Sequence, residues 1–320
     1  MSHFQYPSIG LVAEGIDPLV APLSFTQVGI AVSNIEDSIE FYYKIGFDKV
    51  SGGKVPVLVN KGGLELHLFQ SDGTHDDDKN ILNDLPDRKI PGHTHVCFTV
   101  PSVSRTKEYL ESVGIPLSGE RKSGPREDGE TLASIFCRDL DRTTLEFEIH
   151  GTNRPGPVTR DEIGYPQGMD HVGVRVSSAP EAAVWYAEKL GFVEKVMTYD
   201  LNPEPLKNFA PHITRSESLI DINFIPNANE KVTENALLAG GRVRPGIVFV
   251  GLGVEDVASA EQKLAAAGVT TVRDEHLSGR SEGWRLLADR VVTPAPEAGG
   301  SLFLMDPDFS LLRLVAAKKG

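Results

Sequence analysis

Gln27, Glu65, His67, His95, Glu146 and Glu148 are the residue types from which metal centres and acid–base pairs are built, and each sits in a short alternating apolar run. In "LELHLF" (64–69), Glu65 and His67 share one face while Leu64, Leu66 and Leu68 take the other; in "TLEFEI" (144–149), Glu146 and Glu148 lie opposite Leu145 and Phe147. An imidazole, an amide and carboxylates meeting at one point would hold a hard divalent ion, and a carboxylate beside such an ion can carry a proton. Plain structural readings stay open for each residue alone. His95 fits a hydrogen-bonded core histidine, and the carboxylates fit a solvated sheet face.

What joins these residues is internal repetition. "FTQVGIAVSNIEDSIEFYYKIGF" (25–47) and "MDHVGVRVSSAPEAAVWYAEKLGF" (169–192) share a strand, a helix with paired aromatics and a closing Gly46 or Gly191, where a helix should stop. A second pair opens at "HTHVCFTVPSVSRTKEYLESVG" (93–114) and "IVFVGLGVEDVASAEQKLAAAG" (247–268). Their endings also match, "CRDLDRTTLEFEI" (137–149) against "LMDPDFSLLRLV" (304–315), which places Glu146 over Arg313. The chain therefore reads as four βαβββ modules, at 24–70, 93–150, 169–226 and 246–318. Read in chain order, they pair into an α+β protein of two domains, 24–150 and 169–318, each a curved mixed sheet forming a half-barrel with helices outside. Residues 1–23 form an N-terminal arm and 151–168 a Pro- and Gly-bearing linker; the acidic insert at 71–93 reads as a solvated loop or a lid.

Composition removes several classes. The 320 residues suffice for two buried cores, and the net charge of −13 argues against nucleic acid. With no apolar run of membrane-spanning length and no signal-like N-terminus, the expectation is a cytoplasmic protein without membrane partners. Cys97 and Cys137 fall inside strand patterns and read as packing residues, not as a disulfide or thiolate site.

The openings "QVGIAVSNIEDSIEFYYKIGF" and "HVGVRVSSAPEAAVWYAEKLGF", with the closings "DLDRTTLEF" and "DPDFSLLRL", resemble those of the vicinal oxygen chelate superfamily, which includes glyoxalase I, methylmalonyl-CoA epimerase, fosfomycin-resistance proteins and extradiol dioxygenases. The resemblance spans about residues 24 to 316. It implies metal ligands on the first and last strand of each paired module, which in the first domain fall on Gln27, Glu65, His95 and Glu146, with His67 as alternative ligand. That set is similar to the ligand pattern of eukaryotic glyoxalase I. In the second domain the same positions hold His171, Asp221, Phe249 and Arg313; a phenyl ring cannot ligate and a guanidinium repels a cation, so this site reads as degenerate, a salt-bridged cluster joined by Arg175.

The resemblance thus implies one divalent ion, zinc, nickel, cobalt or manganese in preference to iron, with Glu146 or Glu65 moving a proton beside a metal-bound carbonyl or enediolate. The leading expectation is a glyoxalase-like lyase or isomerase. An extradiol-type or other iron-dependent dioxygenase is the alternative, and a non-catalytic small-molecule binder or resistance protein is a third. Ala31 and Phe69 stand where glyoxalase I has polar glutathione contacts, which implies a small, less polar substrate. Phe69, Arg121 and Arg126 are candidate substrate contacts, and a homodimer is among the fold's arrangements.

Overall fold

The computed structural model describes residues 4–5, 18–51, 55–73, 80–85, 87–124, 126–149, 151–195, 198–199, 212–215, 220–279, 282–290 and 300–317. Most of the N-terminal arm and part of the acidic insert lie outside the described residues.

Each repeat folds as the alternation and helix-stop signals require. The first holds β2 (Ser24–Val32), α1 (Ile35–Lys44), β3 (Phe47–Ser51), β4 (Val57–Asn60) and β5 (Glu65–Gln70), after a short β1 (Phe4–Gln5). The second holds β6 (Gly92–Val100), α2 (Val103–Ser112), β7 (Leu117–Lys122), β8 (Leu132–Arg138) and β9 (Thr144–Ile149). The third holds β10 (His171–Arg175), α3 (Ala179–Leu190), β11 (Val193–Lys195), β12 (Thr198–Tyr199), β13 (His212–Arg215) and β14 (Ile220–Ile225). The fourth holds β15 (Gly246–Val254), α4 (Val257–Ala266), β16 (Thr271–Arg273), the added α5 (Glu282–Arg290), β17 (Ser301–Met305) and β18 (Leu311–Ala316). Helices α1 to α4 start on Asn34, Ser102, Ser178 and Asp256, whose side chains accept first-turn N–H groups. Gly191 ends α3 at φ 66°, a left-handed position that a side chain would strain.

Sixteen of the strands form one sheet, and β1 pairs with β12 in a separate two-stranded one. Its ladders correct the expectation that modules pair in chain order. The first strand of module two, β6, lies antiparallel to β10 of module three, and β2 of module one lies antiparallel to β15 of module four. One curved half is thus β11-β13-β14-β10-β6-β9-β8-β7, and the other is β3-β4-β5-β2-β15-β18-β17-β16, joined where Ile247 meets His93. Side-chain alternation says which residues share a face. It is blind to which first strand becomes the neighbour.

Neighbouring modules are nevertheless latched through the other layer. The Tyr42 hydroxyl of α1 donates to Asp139 Oδ2 of module two at 2.7 Å, and Tyr186 of α3 donates to Asp306 Oδ2 of module four at 3.1 Å. The N–H of Ser33 donates to Asp141 Oδ2 and that of Ser177 to Asp308 Oδ2. These are the aspartates that the two closing turns have in common. Burial pushes the Asp139 carboxyl up to about 6 and that of Asp306 to about 7. Tyr42→Phe or Tyr186→Phe removes a donor from a buried acceptor and is expected to cost about 1–3 kcal/mol, read as a lower thermal midpoint, whereas Tyr43→Phe at an exposed site should cost little.

One apolar core, including Val28, Ile30, Tyr42, Phe98, Val174, Leu190, Leu252 and Leu264, lies between the sheet and helices α1 to α4. A second covers the opposite face of β2, β5, β15 and β18: Ala31, Phe69, Phe249 and Leu311 pack with Phe303, Leu237, Leu277, Trp284 and Leu287. Leu82 and Ile90 of the acidic insert join it, so the insert is anchored to the core at these residues while Asp87 and Arg88 stay exposed. The concave side of this half is therefore filled by α5 and its neighbours.

Candidate metal centre

In the other half, strand register brings three donors to one point. Cys97 of β6 lies opposite Glu146 of β9 on one side and His171 of β10 on the other, which sets Glu146, His171 and the nearby His95 on one face. His95 Nε2, His171 Nε2 and Glu146 Oε2 are 3.3 Å from one another in every pair. All three residues are buried, Glu146 at 1% exposure. Donors about 2.0–2.2 Å from one ion stand roughly 2.8–3.6 Å apart, so the triangle fits a single divalent ion bound on one side. Glu146 Oε1, buried without a hydrogen-bond partner, is a further acceptor at the same place.

The ring nitrogens facing away are held as ligand histidines usually are. His171 Nδ1 lies 2.9 Å from Asp170 Oδ2, and His95 Nδ1 lies 3.2 Å from the Thr94 hydroxyl, which itself donates to the Gly173 carbonyl. A β-bulge sets Thr94 here: Gly173 faces His95, while Val174 faces His93. Gly173 is required by this contact, since a Cβ there would stand 2.0 Å from His95 Cε1. Gly173→Ala is expected to swing the ring and weaken metal binding by about 10- to 100-fold, as read by calorimetric titration with zinc or ferrous iron.

Charges within the cluster are strongly coupled. Burial resists charge on Glu146, but His171 and His95 beside it hold its carboxyl well below the usual range. Burial also resists a proton on His171, yet Cys97, Asp170 and Glu146 together raise its pKa well above the ordinary value, while burial lowers that of His95. The shifts run in opposite directions, so a proton is favoured on His171 over His95, and a metal ion at the triad would compete with it. Metal uptake is expected to release protons, seen as a dependence of the binding heat on buffer ionisation enthalpy, with affinity falling as pH falls. Cys97, expected only to pack, forms with Glu148, Asp170 and His171 a second group of ligand types behind the first. Glu148, whose Oε1 is 3.9 Å from His171 Nδ1, is pushed by burial up to about 8.

The quartet Gln27, Glu65, His95 and Glu146 is not assembled. His95 and Glu146 lie in the half just described; Gln27 and Glu65 face each other in the other half, together with His67. There Gln27 Oε1, the atom a metal would need, accepts from Arg313 Nη1 at 2.9 Å, while its amide nitrogen donates to Glu65 at 3.2 Å. Arg313 Nη2 also donates to Asp274 Oδ2 at 2.6 Å and to Ser301 Oγ at 2.9 Å, and the guanidinium lies over Phe249 and Phe303. A fixed cation thus stands where the repeat would place a ligand.

The set His171, Asp221, Phe249 and Arg313 is likewise divided. His171 joins the metal-type cluster, with Asp221 opposite it on β14, while Phe249 and Arg313 belong to the filled half. Arg175 joins no such cluster, because it donates to Asn227 and to the Leu82 and Ile90 carbonyls. Of the substrate candidates, Phe69 is buried in the second core and Arg126 is engaged by Asp128 and the Gly151 carbonyl; Arg121 alone borders the triad.

The sequence profile of the Glyoxalase/Bleomycin resistance protein/Dioxygenase superfamily matches residues 24–147 and 168–290, and the chain belongs to this superfamily. The superfamily includes metal-dependent glyoxalases and dioxygenases, and the chain carries a set of divalent-metal ligand types in the same fold. Among solved structures it is similar to a putative dioxygenase from Bacillus subtilis subsp. subtilis str. 168, with TM-score 0.59 and 12% identity over 94% of this chain and 87% of that one. It is also similar to glyoxalase I from Zea mays, with TM-score 0.53 and 17% identity over 92% of both chains. At these identities the likeness establishes the fold. Among curated proteins no sequence matches the chain. No helix among the described residues is long and apolar enough to cross a membrane.

Proposed function

We propose that the chain is an extradiol-type, ferrous-iron-dependent dioxygenase whose ion is held by His95, His171 and Glu146. The reading is carried by the 3.3 Å triangle of two imidazole nitrogens and one carboxylate oxygen. Two histidines and one carboxylate on one face are the ligand set of non-haem iron oxygenases, leaving open positions for a chelating diol and dioxygen. Asp170 and Thr94 orient the two rings, and Glu148 beside His171 is a carboxyl able to accept or return a substrate proton. The expectation of zinc, nickel, cobalt or manganese in preference to iron rested on Gln27 as a ligand, and the Arg313 hydrogen bond removes that support.

The test is anaerobic loading with ferrous iron followed by oxygen uptake with catechol-type and hydroquinone-type probes. Oxygen uptake that requires iron and is lost in Glu146→Gln supports the reading. Conversion of an α-hydroxy or α-oxo carbonyl probe with zinc or nickel and without oxygen uptake would instead favour a lyase or isomerase in which Glu148 moves the proton. That second reading is kept because Glu148 combines a raised pKa with its place beside the ligands.

A further inference from the structure

Strand β7 places Arg121 beside the triad, on the Glu146 side. Its Nη2 stands 3.8 Å from Glu146 Oε1, beyond hydrogen-bond range, and its side chain is 54% exposed. Among the described residues its guanidinium has no hydrogen-bond acceptor. Other arginines of the same module are engaged: Arg105 by Glu108, Arg126 by Asp128, and Arg138 and Arg142 by Asp84. Arg121 is instead steadied from below, where its guanidinium lies 5.8 Å over the Phe136 ring. The register explains the position, since Phe136 of β8 lies directly opposite Glu146 of β9, and Arg121 lies opposite Ser134, which faces Glu148. The hairpin carrying it is also fixed: buried Glu130 accepts from Ser102, Ser104, Thr131 and Leu132, tying the β7–β8 connection to the start of α2.

A guanidinium presents five donors in a planar fork matched to a carboxylate. Here that fork is held by an aromatic face beside the ligand cluster, half in solvent and without an acceptor of its own among the described residues. We infer that Arg121 is the specificity-determining residue of this site, taking the carboxylate of a planar substrate whose neighbouring oxygens are held at His95, His171 and Glu146. The substrate class is therefore an acid-bearing aromatic or enolic diol, with the acid group at the half-exposed Arg121. This inference rests on the proposed metal site.

The experiment is an anaerobic calorimetric titration of the ferrous-loaded 320-residue chain with 3,4-dihydroxybenzoate and with catechol, which lacks the carboxylate, after metal content has been measured separately. The expected result is about tenfold tighter binding of 3,4-dihydroxybenzoate, falling to within about twofold of catechol in Arg121→Gln and recovering in part in Arg121→Lys. Stoichiometric iron with equal affinities in the native chain, with no binding of either probe, or with a preference unchanged in Arg121→Gln overturns the assignment of Arg121 and leaves the metal site standing. Failure to retain iron overturns the metal site and this inference with it. Circular dichroism of each variant guards against misfolding, and Arg121→Lys keeps the test decisive if Arg121→Gln does not fold.

Discussion

Replacing His171 with Gln or Ala is expected to abolish stoichiometric iron binding, lowering affinity by more than about 100-fold, while Gln27→Ala leaves it within about twofold. Loss of a residue that merely orients a ligand costs about 10- to 100-fold, so loss of a donor should exceed that range. His171 Nε2 is one corner of the triangle, equidistant from His95 and Glu146. Gln27 lies in the other half, its amide oxygen already hydrogen-bonded to Arg313. Metal content after dialysis, measured on both variants, checks the pair. Pairing of modules in chain order requires the opposite result, with Gln27→Ala losing metal and His171→Ala retaining it. Glu146→Ala should resemble His171→Ala and also remove the cluster's one ligand carboxylate, so oxygen uptake should vanish in both.

Much of the fold was legible from the sequence because it depends on local pattern. Alternation in "LELHLF" and "TLEFEI" placed Glu65 with His67 and Glu146 with Glu148, and the four helix stops and two closing turns marked the modules. His95 and Glu146 were legible as ligand types for the same reason. His171 was equally visible, at the strand position that Gln27 occupies in the first module, but it was assigned the wrong partners. Which edge each first strand meets is decided by long-range ladders, β6 with β10 and β2 with β15, that leave no mark within either strand. The chain-order relationship is present in the molecule, but in the helix layer, as the Tyr42–Asp139 and Tyr186–Asp306 latches. Asp274 was invisible as the partner of Arg313, because it belongs to an insertion of the fourth module with no counterpart in the other repeats.

That insertion governs the second large effect expected. Arg313→Met should destabilise the protein by about 3–5 kcal/mol in urea unfolding, because it leaves Asp274 as a largely buried carboxylate without its cation and takes donors from Gln27 and Ser301. The guanidinium side chain is 5% exposed and that of Asp274 16%, so solvent screens the pair little. Replacing both charges, in Arg313→Met with Asp274→Leu, should recover most of the loss, since a buried ion pair exchanged for apolar side chains of similar volume is often close to neutral. The surroundings favour that outcome: Phe249, Phe303, Leu277 and Trp284 already line the filled half. Iron binding at His95, Glu146 and His171 should persist in both variants under folding conditions. A loss below about 1 kcal/mol for Arg313→Met would show that the charge is not needed there. A loss of iron in the stable double variant would show that the two halves are coupled in function. The expected pattern, stability lost and iron retained, assigns the repeat two different tasks: one half holds the chemistry, and the other exchanges a metal-type cavity for an arginine-centred core that supports it.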